Sequence, residues 1–173
     1  MTTCNQESEY DKIADAYQGL FQDEDSKKEN EEVISKIDIK GSVLDIGCGS
    51  GLLLDYAKIS PADYIGIDPS KRMLEYFKTL HPGYKTLNCK FEDFRNGCFD
   101  TIISLFGSPS YIKPGQLHRI KKMLSPGGTA FLMFYLNDYV PVTYIKTGIF
   151  LSHYKNYSEG EIYHNYNIVI WKK

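Results

Sequence analysis

Apolar residues fall at Tyr10, Ile13, Ala14, Tyr17, Leu20 and Phe21, the spacing of one helical face, with Asp11, Lys12 and Asp15 on the other side. Residues 1–9 carry no such pattern and read as frayed. A second helix is expected from Ser26, because Ser26 and Glu29 stand three apart as in a capping box and Val33, Ile34 and Ile37 supply a buried stripe. The charge-dense run from Asp23 to Glu32 reads as a helix start and a solvated face. Val43, Leu44 and Ile46 then form a short apolar run suited to a strand covered on both faces. Leu52-Leu53-Leu54 opens a helix that Ser60-Pro61 should end.

The alternation continues. Tyr64 to Asp68 reads as a second strand, and a helix follows from Pro69-Ser70 with Met73, Leu74, Phe77 and Leu80 on one face, stopped by His81-Pro82-Gly83. Tyr84–Cys89 and Phe99–Leu105 are the third and fourth strands, the latter after the turn signal Asn96-Gly97. Leu117, Ile120, Met123 and Leu124 form a helical stripe ended by Ser125-Pro126-Gly127-Gly128, and Thr129–Tyr135 is the fifth strand. Residues 136–163 are rich in Tyr and have no period. Tyr166–Trp171 is a last strand, expected to pair with part of 145–154 as an antiparallel hairpin at the sheet edge.

Strands alternating with helices predict an α/β fold: one doubly wound, mostly parallel seven-stranded sheet with helices on both faces, an antiparallel C-terminal hairpin and two N-terminal helices. The expected organisation is a single domain over 1–173, with a helical cap at 10–37, a ligand-binding core at 41–135, and an edge hairpin and candidate lid at 136–173. A chain of this length buries roughly two-thirds of its unfolded surface and needs no covalent staples.

Composition changes the picture little, apart from an excess of 14 Tyr that can build a core or line a pocket. A net charge of −2 and the lack of a dense Lys/Arg block argue against nucleic acid as the partner. Cys4, Cys48, Cys89 and Cys98 form no CxxC pair and have no His spacing suited to zinc, so no metal is expected and the thiols read as reduced. No run approaches membrane-spanning length and the N-terminus lacks an apolar signal core, so no membrane partner and a cytoplasmic location are expected.

The candidate chemistry lies in Asp45-Ile46-Gly47-Cys48-Gly49-Ser50-Gly51, a strand end, a glycine turn and a helix start. Glycines there allow positive φ and close approach of a ligand to backbone, while the helix start offers free N–H groups. Asp68 ends the next strand, 21 residues after Gly47, so a parallel sheet brings its carboxylate beside the turn, where it can accept both hydroxyls of a ribose. That arrangement serves nicotinamide cofactors as well as S-adenosylmethionine. Leu52 stands where the dinucleotide fingerprint needs its third glycine, which disfavours a dinucleotide oxidoreductase. Asp45 also suits a cap of the following turn, Met73 suits the core, and Cys48 fits the turn simply because it is small.

Val43–Gly51 (VLDIGCGSG) resembles the cofactor-binding motif of class I S-adenosylmethionine-dependent methyltransferases. Asp68-Pro69-Ser70 with Met73-Leu74 resembles the family's second motif, Phe99–Leu105 its fourth, and Leu124–Gly128 the turn before its fifth strand. Tyr10-Asp11-Lys12-Ile13-Ala14 with Tyr17 is similar to the N-terminal helix of its small-molecule members. The resemblance implies that Gly47, Cys48 and Gly49 run along the methionine part, with Asp45 near its amino group. Asp68 would bind the ribose, flanked by Pro69, Ser70 and Met73. The family's adenine-facing acid aligns with Lys90, so Phe91 and Glu92 take that role as candidates. Leu105 and Phe106 would lie under the methyl-donor end, with Ser108 and Tyr111 facing the acceptor and Tyr10 and Tyr17 closing over the ligand.

Methyl transfer from a sulfonium is an in-line displacement with a neutral leaving group, so alignment and water exclusion carry much of the catalysis. No general base stands out among His81, His118, His153, His164 and the tyrosines of 135–166. Leu-Phe-Gly-Ser-Pro-Ser follows the fourth strand, where nucleic-acid amino-methylating members carry Asp/Asn-Pro-Pro-Tyr, and there is no Pro-Cys nucleophile for cytosine chemistry. The expected function is methyl transfer to a small-molecule acceptor, with S-adenosylhomocysteine as coproduct; the alternative is a non-catalytic methyltransferase-like binding module. The segment after the fifth strand is short for a substrate lid, so the pocket is open, completed by a second subunit as a homodimer, or covered by the N-terminal helices.

Overall fold

A computed structural model describes residues 8–95, 97–136 and 160–173. Its elements are α1 (Glu9–Gln18), α2 (Glu24–Ser35), β1 (Val43–Ile46), α3 (Leu52–Tyr56), β2 (Tyr64–Asp68), α4 (Lys71–Leu80), β3 (Lys85–Asn88), β4 (Phe99–Ser104), α5 (Pro114–Met123), β5 (Leu124–Tyr135), β6 (Glu161–Tyr163) and β7 (Tyr166–Lys172). The strands form one seven-stranded sheet in the order β3-β2-β1-β4-β5-β7-β6. β1 to β5 are mutually parallel, while β7 runs antiparallel between β5 and β6.

The central strands are apolar at consecutive positions because both faces of the sheet are covered. Leu44, Ile102 and Leu132 pack with α5 residues Leu117 and Ile120 on one face. Val43, Ile103 and Met133 pack with α2 residues Val33 and Ile34 and α4 residues Leu74 and Phe77 on the other. Fully burying a side chain of this size contributes about 1.5–3 kcal/mol, so the two layers fix which way each strand faces.

Several boundaries differ from expectation, each for a local reason. α2 starts at Glu24, because Asp23 caps it by accepting from the Ser26 amide at 2.9 Å; the capping box belongs instead to α1, between Ser8 and Asp11. α3 ends at Tyr56, well before Ser60, and the chain runs on extended to bury Ile59, whose carbonyl accepts from the Tyr84 hydroxyl at 2.7 Å. Leu124 leaves the helical stripe to pair with Phe99, so β5 begins there. Leu80, on the last turn of α4, is 55% exposed. The hairpin partner of β7 is Glu161–Tyr163; segment 145–154 and most of the Tyr-rich stretch lie outside the described residues. Among the described residues no helix is long and apolar enough to cross a membrane, and no cluster of His, Cys, Asp and Glu could hold a metal.

Candidate cofactor and acceptor site

Parallel strands deliver their carboxyl ends to one rim, so Ile46, Asp68, Ser104 and Tyr135 end there together. The antiparallel β7 starts at the same rim, because Tyr166 is the register partner of Tyr135. A cleft of ≈ 800 Å³ opens along this rim.

The glycine turn is held by backbone and by β2. The amides of Gly47 and Cys48 both donate to the Ile67 carbonyl, at 2.8 and 3.1 Å, and the Gly49 amide donates to Oδ2 of Asp68 at 2.9 Å. Gly47 has φ of +75°, and a Cβ on it would meet the Ser108 Cβ at 2.6 Å, so the turn needs glycine both for its backbone and for its contact with the β4 loop.

Asp68 is buried and also accepts from the Ser70 amide through Oδ1 at 2.8 Å. Burial pushes its carboxyl up to about 6, against the two amides that pull it down. Asp45 does not cap the turn; it lines the cleft and accepts from the Tyr64 hydroxyl at 2.8 Å. Burial raises the Asp45 carboxyl to about 7, opposed by the Tyr64 bond and reinforced by Asp68. The Cys48 thiol packs against Tyr64 and Gly66, and burial pushes its pKa well up, which makes it an unreactive small side chain.

Met73, Pro69, Phe91 and Glu92 line the cleft beside Asp68. Ser70 is off its wall: fully buried, its hydroxyl accepts from the Met73 amide at 3.1 Å and donates to Asp11 at 2.7 Å. Glu92 accepts from the Lys113 amide at 2.9 Å, and the Arg119 guanidinium sits 5.0 Å from the Phe91 ring centroid. Arg119 also donates to the carbonyls of Phe91, Glu92 and Phe94, so one α5 side chain holds the loop after β3. Asn88 likewise donates to the carbonyls of Asp68 and Pro69, at 3.0 and 2.9 Å. Neither role is readable in the sequence, since each depends on main-chain atoms of another segment.

The N-terminal helices form the opposite wall, with Tyr10, Tyr17 and Gln18 from α1 and Glu29 and Asn30 from α2. α1 is strapped to α4 by polar contacts. Asp11 accepts from Ser70 and from the Arg72 amide, Arg72 grips Asp15 with both contacts under 3 Å, and Tyr76 donates to Asp15 at 2.6 Å. Leu105, Phe106, Ser108 and Tyr111 follow β4 at the other end of the cleft, where Tyr135 and Tyr166 join them. Those last two tyrosines come from elements with no turn motif to flag them.

A buried acid beside a glycine turn, on a sheet of this strand order, coincides with a sequence match: residues 43–128 fit the family model described as a methyltransferase domain. The chain belongs to the class I S-adenosylmethionine-dependent methyltransferases. The methyltransferase fold extends to solved structures. A putative methyltransferase from Haloferax volcanii, in complex with the Trm112 methyltransferase activator, shares it with a TM-score of 0.66 at 20% identity, over 85% of this chain and 68% of that one. DesVI from Streptomyces venezuelae gives 0.58 at 22%, over 79% and 62%. S-adenosylmethionine-bound CalS10 from Micromonospora echinaspora, an amino pentose methyltransferase involved in calicheamicin biosynthesis, gives 0.54 at 22%, over 73% and 58%. This methyltransferase chain thus spans about three fifths of DesVI. No curated protein sequence matches it.

Proposed function

We propose that this methyltransferase domain transfers the methyl group of S-adenosylmethionine to a small-molecule acceptor by in-line displacement. The observation that carries the reading is the Asp68 carboxylate. It is buried at the edge of the glycine turn and uses one bond per oxygen on backbone amides, which leaves further lone pairs to accept ribose hydroxyls.

When bound, S-adenosylmethionine supplies an electrophilic methyl carbon whose sulfur leaves as a neutral thioether. Asp68 would hold the ribose, the Gly47–Gly49 backbone the methionine portion, and Asp45 would offer negative charge toward its amino group. Met73, Phe91 and Glu92 would flank the adenine. Leu105 and Phe106, with Tyr10 and Tyr17 opposite, would exclude water from the methyl-donor end. CalS10, which has the same fold, is an amino pentose methyltransferase, in keeping with a small-molecule acceptor. We take 1–173 as one cytoplasmic domain with the N-terminal helices as its cover.

Calorimetry with S-adenosylmethionine and S-adenosylhomocysteine tests the cofactor, with both expected to bind and Asp68→Ala expected to abolish binding. Conversion of cofactor to S-adenosylhomocysteine with an acceptor from a metabolite panel tests catalysis. Tight cofactor binding with no turnover on any acceptor would favour the non-catalytic binding module.

A further inference from the structure

Six aromatic rings run without a break across the acceptor end of the cleft. Tyr17 meets Tyr10 edge-on with centroids 5.8 Å apart, and Tyr10 meets Tyr111 at 6.1 Å. Tyr111 meets Tyr135 at 6.2 Å, Tyr135 stacks on Tyr166 at 5.7 Å, and Phe106 meets Tyr166 edge-on at 5.7 Å. They come from α1, the loop after β4, the end of β5 and the start of β7, and all of them line the cleft. The lining residues next to these rings along the chain include Leu105, Ser108 and Ile112, which are uncharged.

The charge of the described lining is one-sided. Glu29, Asp45, Asp55, Asp68, Glu92 and Asp93 face Lys90 and Lys113 among the described lining residues, and both lysines sit by Glu92, one two positions before it and the other bonded to it through its amide. An acidic acceptor would meet an excess of like charge among the described lining residues. A cation finds ring faces, whose quadrupole is negative, and a field that draws it in.

We propose that the acceptor is an amine, held against the tyrosine faces as an ammonium and methylated on nitrogen; the proposal rests on the methyl-transfer reading above. To react, the bound ammonium first gives a proton to water, so that in the reactive complex the amine is the free base. Its lone pair forms the new N–C bond as the C–S bond breaks, the C–S electrons remain on sulfur, and the proton of the resulting ammonium passes to water. The rings need supply no base: their work is to attract the cation, orient the nitrogen and retain the methylated product only weakly enough to let it leave.

The test uses choline as a methylated-ammonium probe against its uncharged isostere, in which carbon replaces nitrogen. Both are titrated calorimetrically into the whole chain, with and without saturating S-adenosylhomocysteine. Choline should bind about tenfold or more tighter than the isostere, Tyr111→Phe should keep that preference and Tyr111→Leu should reduce it. Equal or tighter binding of the isostere, no binding of choline, or an undiminished preference in folded Tyr111→Leu would overturn the proposal. Circular dichroism checks the fold, and Tyr17→Leu, at a half-buried position on α1, replaces Tyr111→Leu should the latter unfold. Failure of S-adenosylhomocysteine itself to bind counts against the methyltransferase reading, while the choline comparison on the free protein still judges the aromatic wall.

Discussion

The Gly49 amide donates to Oδ2 of Asp68 over 2.9 Å, joining the glycine turn to the acid at the end of the neighbouring strand. The same carboxylate holds the Ser70 amide, at the start of α4. One side chain therefore ties the turn to the following helix, at the place proposed for the ribose.

Replacing that group should disturb both stability and binding. Asp68→Ala leaves the buried Ser70 amide and the half-buried Gly49 amide without acceptors and is expected to lower stability by about 2–4 kcal/mol and abolish cofactor binding. Asp68→Asn should fare little better, since its amide nitrogen must face one of two N–H donors. Thermal melts and calorimetry check both; an Asn variant with parental melting temperature and affinity would contradict this role.

The pH dependence follows from the two raised carboxyls, Asp45 at about 7 and Asp68 at about 6. Acids whose folded pKa exceeds the unfolded value near 4 bind more protons when folded, so their effect is to lower stability as pH rises from about 4 to 7. Asp45→Asn keeps an acceptor for the Tyr64 hydroxyl and removes one titration. The variant should gain stability over the parent as pH rises through this window, measured by urea midpoints in the ligand-free protein. A parent–variant difference constant across the window would show that Asp45 does not titrate there.

α1 is held to α4 through Asp11, which accepts from Ser70 and Arg72. Asp11→Ala should speed amide hydrogen exchange in Glu9–Gln18 and weaken cofactor affinity, while exchange in β1, β4 and β5 stays slow. Unchanged exchange in α1 would mean that apolar packing of Ile13 and Ala14 suffices to dock the helix.

Arg119 is bonded to three carbonyls of the loop after β3. Arg119→Ala removes those bonds and the cover of the Phe91 ring, with an expected loss of about 2 kcal/mol of stability. Denaturant midpoints measure it, and S-adenosylmethionine affinity should fall in parallel because Phe91 and Glu92 lose their fixed positions.

Gly107 has φ of +86°, and a Cβ there would overlap the Tyr135 ring. Gly107→Ala should displace that ring and lower choline affinity while S-adenosylhomocysteine affinity persists, since no atom of Gly107 lines the cleft. Parallel titrations of the two ligands read the difference.

By itself the sequence determined the sheet and the glycine turn with its neighbouring acid. Consecutive apolar residues in Val43–Ile46, Tyr64–Asp68 and Phe99–Ser104 declare strands buried on both faces, and Gly47, Gly49 and Asp68 form a local motif whose parts a parallel sheet must bring to one rim. Helix ends were less legible: α3 stops at Tyr56 because Ile59 gains more by burial than by continuing a helix, and α2 starts from Asp23 because its carboxylate reaches the Ser26 amide. Tertiary structure alone decided that Asp45 serves Tyr64, that Ser70 faces Asp11 instead of the cleft, and that Arg119 fixes a loop some 25 residues away. It also decided the ring-to-ring order of Tyr10, Tyr111, Tyr135 and Tyr166, residues that the sequence offered only as separate candidates. The physical reason is the range of the information: strand burial and turn chemistry are written in neighbouring residues, whereas the aromatic wall exists only once an N-terminal helix, a loop and two antiparallel strands meet at the same edge.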